Sequence, residues 1–98
     1  MARKWVPWWI ERHRRKRALR EALRKRDGDN CWRCHQPMRF GPPFNRGKAA
    51  TIEHRTAQAN GGGWELENLV LCHVGCNRHL GTNAPQQKER MRLRMASD

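Results

Sequence analysis

The chain has 98 residues, of which 21 are lysine or arginine and 9 are aspartate or glutamate, so its formal net charge is +12. This length excludes a multidomain enzyme. With only 37% apolar residues, the core of one small domain is marginal unless a metal ion, a disulfide or a partner stabilises it. No apolar run approaches the roughly 18 residues of a membrane span, so we predict no membrane association. The N-terminal residues do not resemble a secretory signal. We therefore expect a reducing, cytoplasmic location, where clustered cysteines indicate a metal site.

The positive charge is concentrated in residues 1–28, which contain 11 lysines and arginines and 3 acids. Such a surplus is typical of a surface that binds a polyanion, DNA or RNA. An anionic membrane surface is the competing target, but it would require a clean apolar face. The pattern predicts a basic helix from about Trp8 to Arg26, which ends at Gly28. A solvated basic face with no partner is the alternative. The phosphate contacts that we nominate on this segment are Arg14, Arg15 and Arg17.

Three tryptophans, Trp5, Trp8 and Trp9, lie at the start of this segment. Tryptophan side chains can stack on nucleic-acid bases. A cluster of them more often packs a helix against a small core. We therefore predict that these three side chains are packed.

Residues 29–83 have a nearly balanced charge and contain the signals of short strands. The sequence ATIEH, residues 50–54, predicts a first strand, and Glu67–Leu71 predicts a second one. The glycine-rich residues 59–63 lie between them and predict a flexible turn. These elements indicate a small hairpin.

Two helices are predicted after this hairpin. Residues 73–80 read as a short helix that ends at Gly81. In the C-terminal segment, residues 84–98, Pro85 fits the first turn of a last helix. We expect that helix to be capped by Thr82 or Asn83.

Two cysteine motifs flank the hairpin and have the spacing of zinc ligands. Cys31 and Cys34 form a C-x-x-C turn, and Cys76 lies near the start of the short helix. Tetrahedral zinc needs four such soft or borderline ligands. The fourth ligand is His73 in our preferred interpretation, because it keeps the x-x spacing to Cys76, and Cys72 is the alternative. We predict that this zinc is structural.

Several short motifs lie between and beside the zinc ligands in a fixed order. They are the C-x-x-C turn, Glu53–His54, the glycines at 61–63, Asn68–Leu69 and Cys76–Asn77. In order and spacing they resemble the HNH endonucleases, specifically the zinc-containing ββα-metal type of small phage and bacterial proteins. The resemblance covers residues 31–82. It implies a small α+β fold: an HNH finger with a structural zinc, flanked by an N-terminal basic helix and a C-terminal helix.

The resemblance also implies a role for each matched residue. His54 would be the general base, which suits a side chain whose ordinary pKa is near 6.5. Glu53 and Asn77 would hold a catalytic divalent cation through oxygen atoms, with Mg²⁺ expected and Mn²⁺ or Ni²⁺ as substitutes. Glu53 departs from the family, which more often has aspartate before the histidine. Asn68 would hold the hairpin loop and so orient the base.

These features together predict a metal-dependent DNA endonuclease that nicks with low sequence specificity. Arg55 and Arg78 flank the predicted site and are expected to contact phosphate. The alternative is a non-catalytic, zinc-containing module that binds nucleic acid, and a third hypothesis is a basic accessory protein that acts on other proteins. A dimer or the packaging machinery of a phage are the further partners that we consider.

Overall fold

The computed structural model describes residues 5–41 and 47–96. The first four residues of the predicted basic segment lie outside the described residues. Within those ranges the chain forms a small α+β fold, as predicted, with three α-helices around one antiparallel pair of strands. These elements are α1 (Trp8–Asp27), β1 (Ala50–His54), β2 (Leu69–His73), α2 (Val74–Leu80) and α3 (Pro85–Ala96). None of the described helices combines the length and the apolar character that crossing a membrane would require.

The hairpin is the centre of the fold. Its register pairs Ala50 with His73 and His54 with Leu69, and every residue of β2 is buried. Because side chains alternate along a strand, His54 and Glu53 point to opposite faces of the sheet. The prediction that the second strand spans Glu67–Leu71 was wrong, because residues 66–68 form a 3₁₀ turn and the strand begins only after it.

The second half of α1 packs against the sheet. Leu23 is fully buried, and Leu19 packs beside the same core. The Arg26 guanidinium donates hydrogen bonds to the carbonyl oxygens of Leu66 and Leu69, both at 2.8 Å. These bonds anchor the C-terminal end of α1 to the start of β2.

The first half of α1 extends beyond the sheet. The prediction that the tryptophans are packed was wrong, because Trp5, Trp8 and Trp9 are 85%, 74% and 52% exposed. The physical reason is that the side chains of α1 that pack on the core, Leu19 and Leu23, lie in the second half of the helix. The two strands, of five residues each, are too short to reach the first turns of α1.

The two short helices follow β2 directly. Gly81, with φ of 51°, lies at the C-terminal end of α2 as predicted. The predicted cap of α3 was wrong, because the Lys88 backbone N–H bonds to the carbonyl of Ala84. Ala84 therefore precedes the helix, and the Asn83 side chain donates instead to the Leu80 carbonyl.

A tight turn carries the first cysteine pair to the hairpin. Cys31 N–H bonds to the Gln36 carbonyl, and His35 N–H bonds back to the Cys31 carbonyl. His35 has a φ of 65°, a left-handed conformation that histidine adopts more readily than most residues. Trp32 N–H bonds to the Leu71 carbonyl at 2.9 Å, which docks this turn on the outer edge of β2.

Candidate functional site

Four side chains from three parts of the chain meet in one cluster. The ligand atoms of Cys31, Cys34, His73 and Cys76 all lie within 4.8 Å of one another. Cys31, His73 and Cys76 are buried, and Cys34 is half-buried. Three sulfurs and one imidazole nitrogen at this separation suit a tetrahedral structural zinc site. The cluster could therefore hold a metal such as zinc.

The orientation of His73 supports its place in the cluster. Its Nε2 lies 2.9 Å from the Pro37 carbonyl, to which only a protonated nitrogen can donate. That bond leaves Nδ1 unprotonated, and Nδ1 lies 3.3 Å from Cys34 Sγ. A ligating histidine is commonly fixed in this way by a backbone carbonyl at its other nitrogen. Between the two alternatives that the sequence left open, His73 is the member of the cluster.

Cys72, the alternative ligand, lies next to Cys31 but outside the cluster of four. Its buried thiol donates a hydrogen bond to Cys31, which is the main reason why the pKa of the Cys31 thiol is lowered to about 3. Backbone N–H groups, including that of His73 at 3.4 Å, also support the Cys31 thiolate. The same hydrogen bond and burial raise the pKa of the Cys72 thiol. Cys72 therefore stays protonated beside the cluster.

An arginine lies beside the cluster and compensates its charge. Burial raises the pKa of the Cys76 thiol to about 11, and Arg33 opposes this shift by donating to Cys76 Sγ at 3.5 Å. A zinc ion deprotonates its thiol ligands outright. Three thiolates around a bound Zn²⁺ would carry one net negative charge, which the Arg33 guanidinium would offset.

His54 is the last residue of β1. Its ring makes an edge-to-face contact with Trp64, with centroids 4.5 Å apart and planes at 86°. Among the described residues, its buried Nε2 has no hydrogen-bond partner. Burial lowers the pKa of His54, the charge of Lys88 lowers it further, and Glu65 opposes both. The imidazole is therefore neutral at pH 7.

Asn68 ties together the loop that follows His54. Its Oδ1 accepts a hydrogen bond from Thr56 N–H at 2.8 Å, and its Nδ2 donates to the carbonyls of Thr56 and Gly63 at 3.1 and 2.9 Å. A side chain at Gly62 would collide with the Thr56 carbonyl, so this turn requires glycine. The contacts fix the chain two residues after His54.

Glu53 has a partner that no sequence signal indicated. Its Oε1 lies 2.9 Å from Lys88 Nζ, and the same ammonium donates to the His54 carbonyl at 2.7 Å. The exposed fractions of Glu53 and Lys88 are 4% and 0%. Burial raises the pKa of the Glu53 carboxyl, and the hydrogen bond from Lys88 opposes this shift. Lys88 thus places a buried cation on the carboxylate that we expected to hold a metal.

The predicted divalent-cation site fits these contacts poorly. Asn77, its other expected ligand, donates from Nδ2 to the Ile52 carbonyl at 3.0 Å, which joins α2 to β1 and does not use its Oδ1. Glu53 Oε2 is buried and has no partner within the described ranges. One carboxylate already paired with Lys88 supplies too little negative charge for a buried dication. The buried carboxylate of Glu53 therefore has Lys88 as its cation.

The arginines nominated as phosphate contacts fall into different environments. Arg55 Nη2 lies 3.8 Å from Glu89 Oε2, and Arg55 Cζ lies 6.0 Å from the centre of the Trp32 ring. Arg78 is exposed in the last turn of α2. On α1, Arg15 faces Trp64 across a cleft, whereas Arg14 and Arg17 lie on the opposite side of the helix.

Comparisons with protein-family models, curated proteins and solved structures find no match. The resemblance to HNH endonucleases therefore rests on the motifs of the chain itself. Sequence reasoning missed two residues around His54. Lys88 belongs to no recognisable motif. The one signal for Trp64 was its position directly after the glycines at 61–63.

Proposed function

We propose that this chain is an endonuclease that hydrolyses DNA phosphodiester bonds on a zinc-stabilised ββα finger, with His54 as the general base. One observation carries the proposal: the buried Nε2 of His54 lacks a hydrogen-bond partner among the described residues, and burial lowers the pKa of that imidazole. A buried polar atom without a partner has a free-energy cost, and a catalytic role is one reason for which proteins accept it. The excess of cations on the adjacent helix supports a polyanionic substrate.

The proposed chemistry is the attack of water on a phosphorus atom. Neutral His54 accepts a proton from the water as its oxygen forms a bond to phosphorus. The bond from phosphorus to the leaving oxygen breaks, and that oxygen takes a proton from solvent. Basic side chains near His54 offset the extra negative charge that develops on the phosphate oxygens.

The zinc centre and Asn77 would support this base through the strand that carries it. Cys76 would be held by zinc, and Asn77 follows it directly and bonds to the Ile52 carbonyl. Ile52 lies two residues before His54 in the same strand. Zinc would therefore act on catalysis by fixing the strand that presents the base, without touching the substrate.

A second candidate function is a zinc-containing module that binds nucleic acid without cutting it. The Lys88–Glu53 ion pair favours this second candidate, because Lys88 occupies the carboxylate that the resemblance assigns to a catalytic cation. This candidate keeps the zinc cluster and the basic helix and requires no role for His54. The two functions therefore differ in the effect of a change at His54.

The first prediction is loss of cleavage on changing His54. Removal of a general base typically costs 10²- to 10⁴-fold in rate, so we expect His54→Ala to nick supercoiled plasmid at least roughly 100-fold more slowly than the wild type. His79→Ala is the matched control, since His79 is exposed on α2. The assay compares Mg²⁺, Mn²⁺, Ni²⁺ and no added cation at equal zinc content. Equal cutting by wild type and His54→Ala, or no cutting by wild type under any condition, contradicts the proposal.

The second prediction concerns the pH dependence of that activity. Burial lowers the pKa of His54, so the neutral form persists below the ordinary value of about 6.5. We expect kcat/KM to stay level as the pH falls from about 8 through 6.5 and to decline only at lower pH. The measurement is the initial nicking rate across this range at constant ionic strength. A decline centred above 6.5 means that a different group, or a charged His54, controls the reaction.

A further inference from the structure

A basic cleft lies beside His54, between α1 and the loop of residues 55–68. It has a volume of about 440 Å³. The described side chains that line it are Arg12, Arg15, Lys16, Leu19, Gln58 and Trp64. Lys16 Nζ lies 5.9 Å from the centre of the Trp64 ring, and the same ring contacts His54 edge to face. Three cations therefore converge on the aromatic side chain that covers the proposed base.

The cleft continues along one face of α1 beyond the sheet. Residues four apart lie on the same side of a helix, which aligns Trp8, Arg12 and Lys16. Trp8 is 74% exposed at the free end of this face. Glu21 lies on the opposite side of the helix, whereas Glu11 lies four residues before Arg15, at the edge of this face. The result is a mainly basic surface that runs from an exposed indole to the Trp64 ring beside His54.

We infer that this surface, the strip of Trp8, Arg12, Arg15, Lys16 and Trp64, binds one DNA strand where a duplex meets unpaired nucleotides. The inference rests on the proposed function. The three cations contact successive phosphates, since Arg12 and Lys16 are about 6 Å apart along the helix axis. Trp8 stacks on an unpaired base, because an exposed indole between cations matches an aromatic base attached to phosphates.

The phosphate contacts are tested with two triple variants of equal charge. Arg12→Gln/Arg15→Gln/Lys16→Gln removes the cations of the strip. The control, Arg14→Gln/Arg17→Gln/Lys25→Gln, removes three cations from the opposite side of the same helix. It includes Arg14 and Arg17, which the sequence nominated as phosphate contacts, so the comparison also tests that nomination against the strip. Binding of a fluorescent duplex with a single-stranded extension is measured by anisotropy at several salt concentrations, without added divalent cations.

The strip triple is expected to weaken binding at least roughly tenfold and to lower the slope of log K against log salt by about 2 to 3. The control triple is expected to weaken binding only a few-fold, roughly, through its smaller net charge. If the two triple variants weaken binding equally, the inference that this strip binds DNA is wrong.

The stacking contact is tested separately with Trp8→Ala and Trp8→Phe. Stacking of one base contributes enough for roughly a tenfold change in affinity. Trp8→Ala should therefore weaken binding to the extended duplex roughly tenfold and leave binding to a blunt duplex unchanged. Trp8→Phe should retain most of the affinity for the extended duplex. Equal losses on the two substrates overturn the preference for unpaired nucleotides.

The outcomes separate the strip from the endonuclease proposal. A wild type that nicks plasmid and binds equally after either triple change overturns the strip alone. Strip-dependent binding by a protein that never nicks overturns the endonuclease and leaves the nucleic-acid surface in place. A wild type that binds neither substrate at low salt overturns both.

Discussion

Removal of zinc is expected to unfold the domain. The cluster joins the Cys31–Cys34 turn, the end of β2 and the start of α2. The apparent free energy of structural zinc binding is about 10–16 kcal/mol in zinc-finger peptides. That is as large as the whole stability of a typical small domain, about 5–15 kcal/mol. The described core is small, so it cannot replace this contribution.

Two neighbouring alanine variants sharpen the test. His73→Ala should lose zinc and the helical circular dichroism signal, because His73 belongs to the cluster. Cys72→Ala should retain one zinc per chain and lose only about 1–2 kcal/mol of stability, through its thiol volume and its hydrogen bond to Cys31. Zinc content is measured by elemental analysis and stability by thermal unfolding. Chelated protein that keeps its circular dichroism, or zinc lost only from Cys72→Ala, contradicts the assignment.

A large loss of thermal stability is also expected when Lys88 is replaced by methionine. Lys88→Met leaves the Glu53 carboxylate buried without its cation, and breaking such a buried pair costs about 3–5 kcal/mol. At 4–8 °C per kcal/mol for a domain of this size, Tm should fall by roughly 12 °C or more. The double variant Glu53→Gln/Lys88→Met removes both charges and should recover much of this loss. The measurement is thermal unfolding of the zinc-loaded proteins.

The same variant tests whether a divalent cation competes with Lys88. If Lys88 holds the position of a cation, Mg²⁺ should raise the Tm of Lys88→Met and leave that of the wild type unchanged, because only the variant leaves Glu53 unpaired. Glu53→Gln/Lys88→Met is the control and should not respond. A wild type that responds to Mg²⁺ as strongly as Lys88→Met shows that the cation binds without displacing the lysine. A Lys88→Met protein with the same Tm as the wild type would show that the Lys88–Glu53 pair does not stabilise the fold.

The sequence was sufficient for features that depend on local spacing. The C-x-x-C turn and the His73–Cys76 pair have ligand spacings set by a turn and by one helical turn, so the cluster could be predicted within one alternative. The bounds of α1 follow from its composition and from Gly28, and the structure ends that helix at Asp27. The opposite orientation of Glu53 and His54 follows from strand alternation alone.

The sequence was insufficient for contacts that depend on how elements pack. Lys88 lies 35 residues after Glu53, in a helix whose polar composition predicts exposure rather than a fully buried ammonium. Trp64 covers His54 only because Asn68 closes the loop between them. The exposure of Trp8 depends on how far α1 extends past a two-stranded sheet, which no local pattern specifies.

The source of the oxygen at a cut phosphate distinguishes hydrolysis by water from other ways of breaking the strand. Zinc-loaded wild type and His54→Ala are incubated with a defined DNA duplex in water enriched in heavy oxygen, and the cut ends are analysed by mass spectrometry. We expect the wild type to produce cut ends whose terminal phosphate carries one oxygen atom from water, and His54→Ala to produce almost none in the same time. Cut ends without heavy oxygen, or equal incorporation by both proteins, would contradict hydrolysis by water that His54 activates.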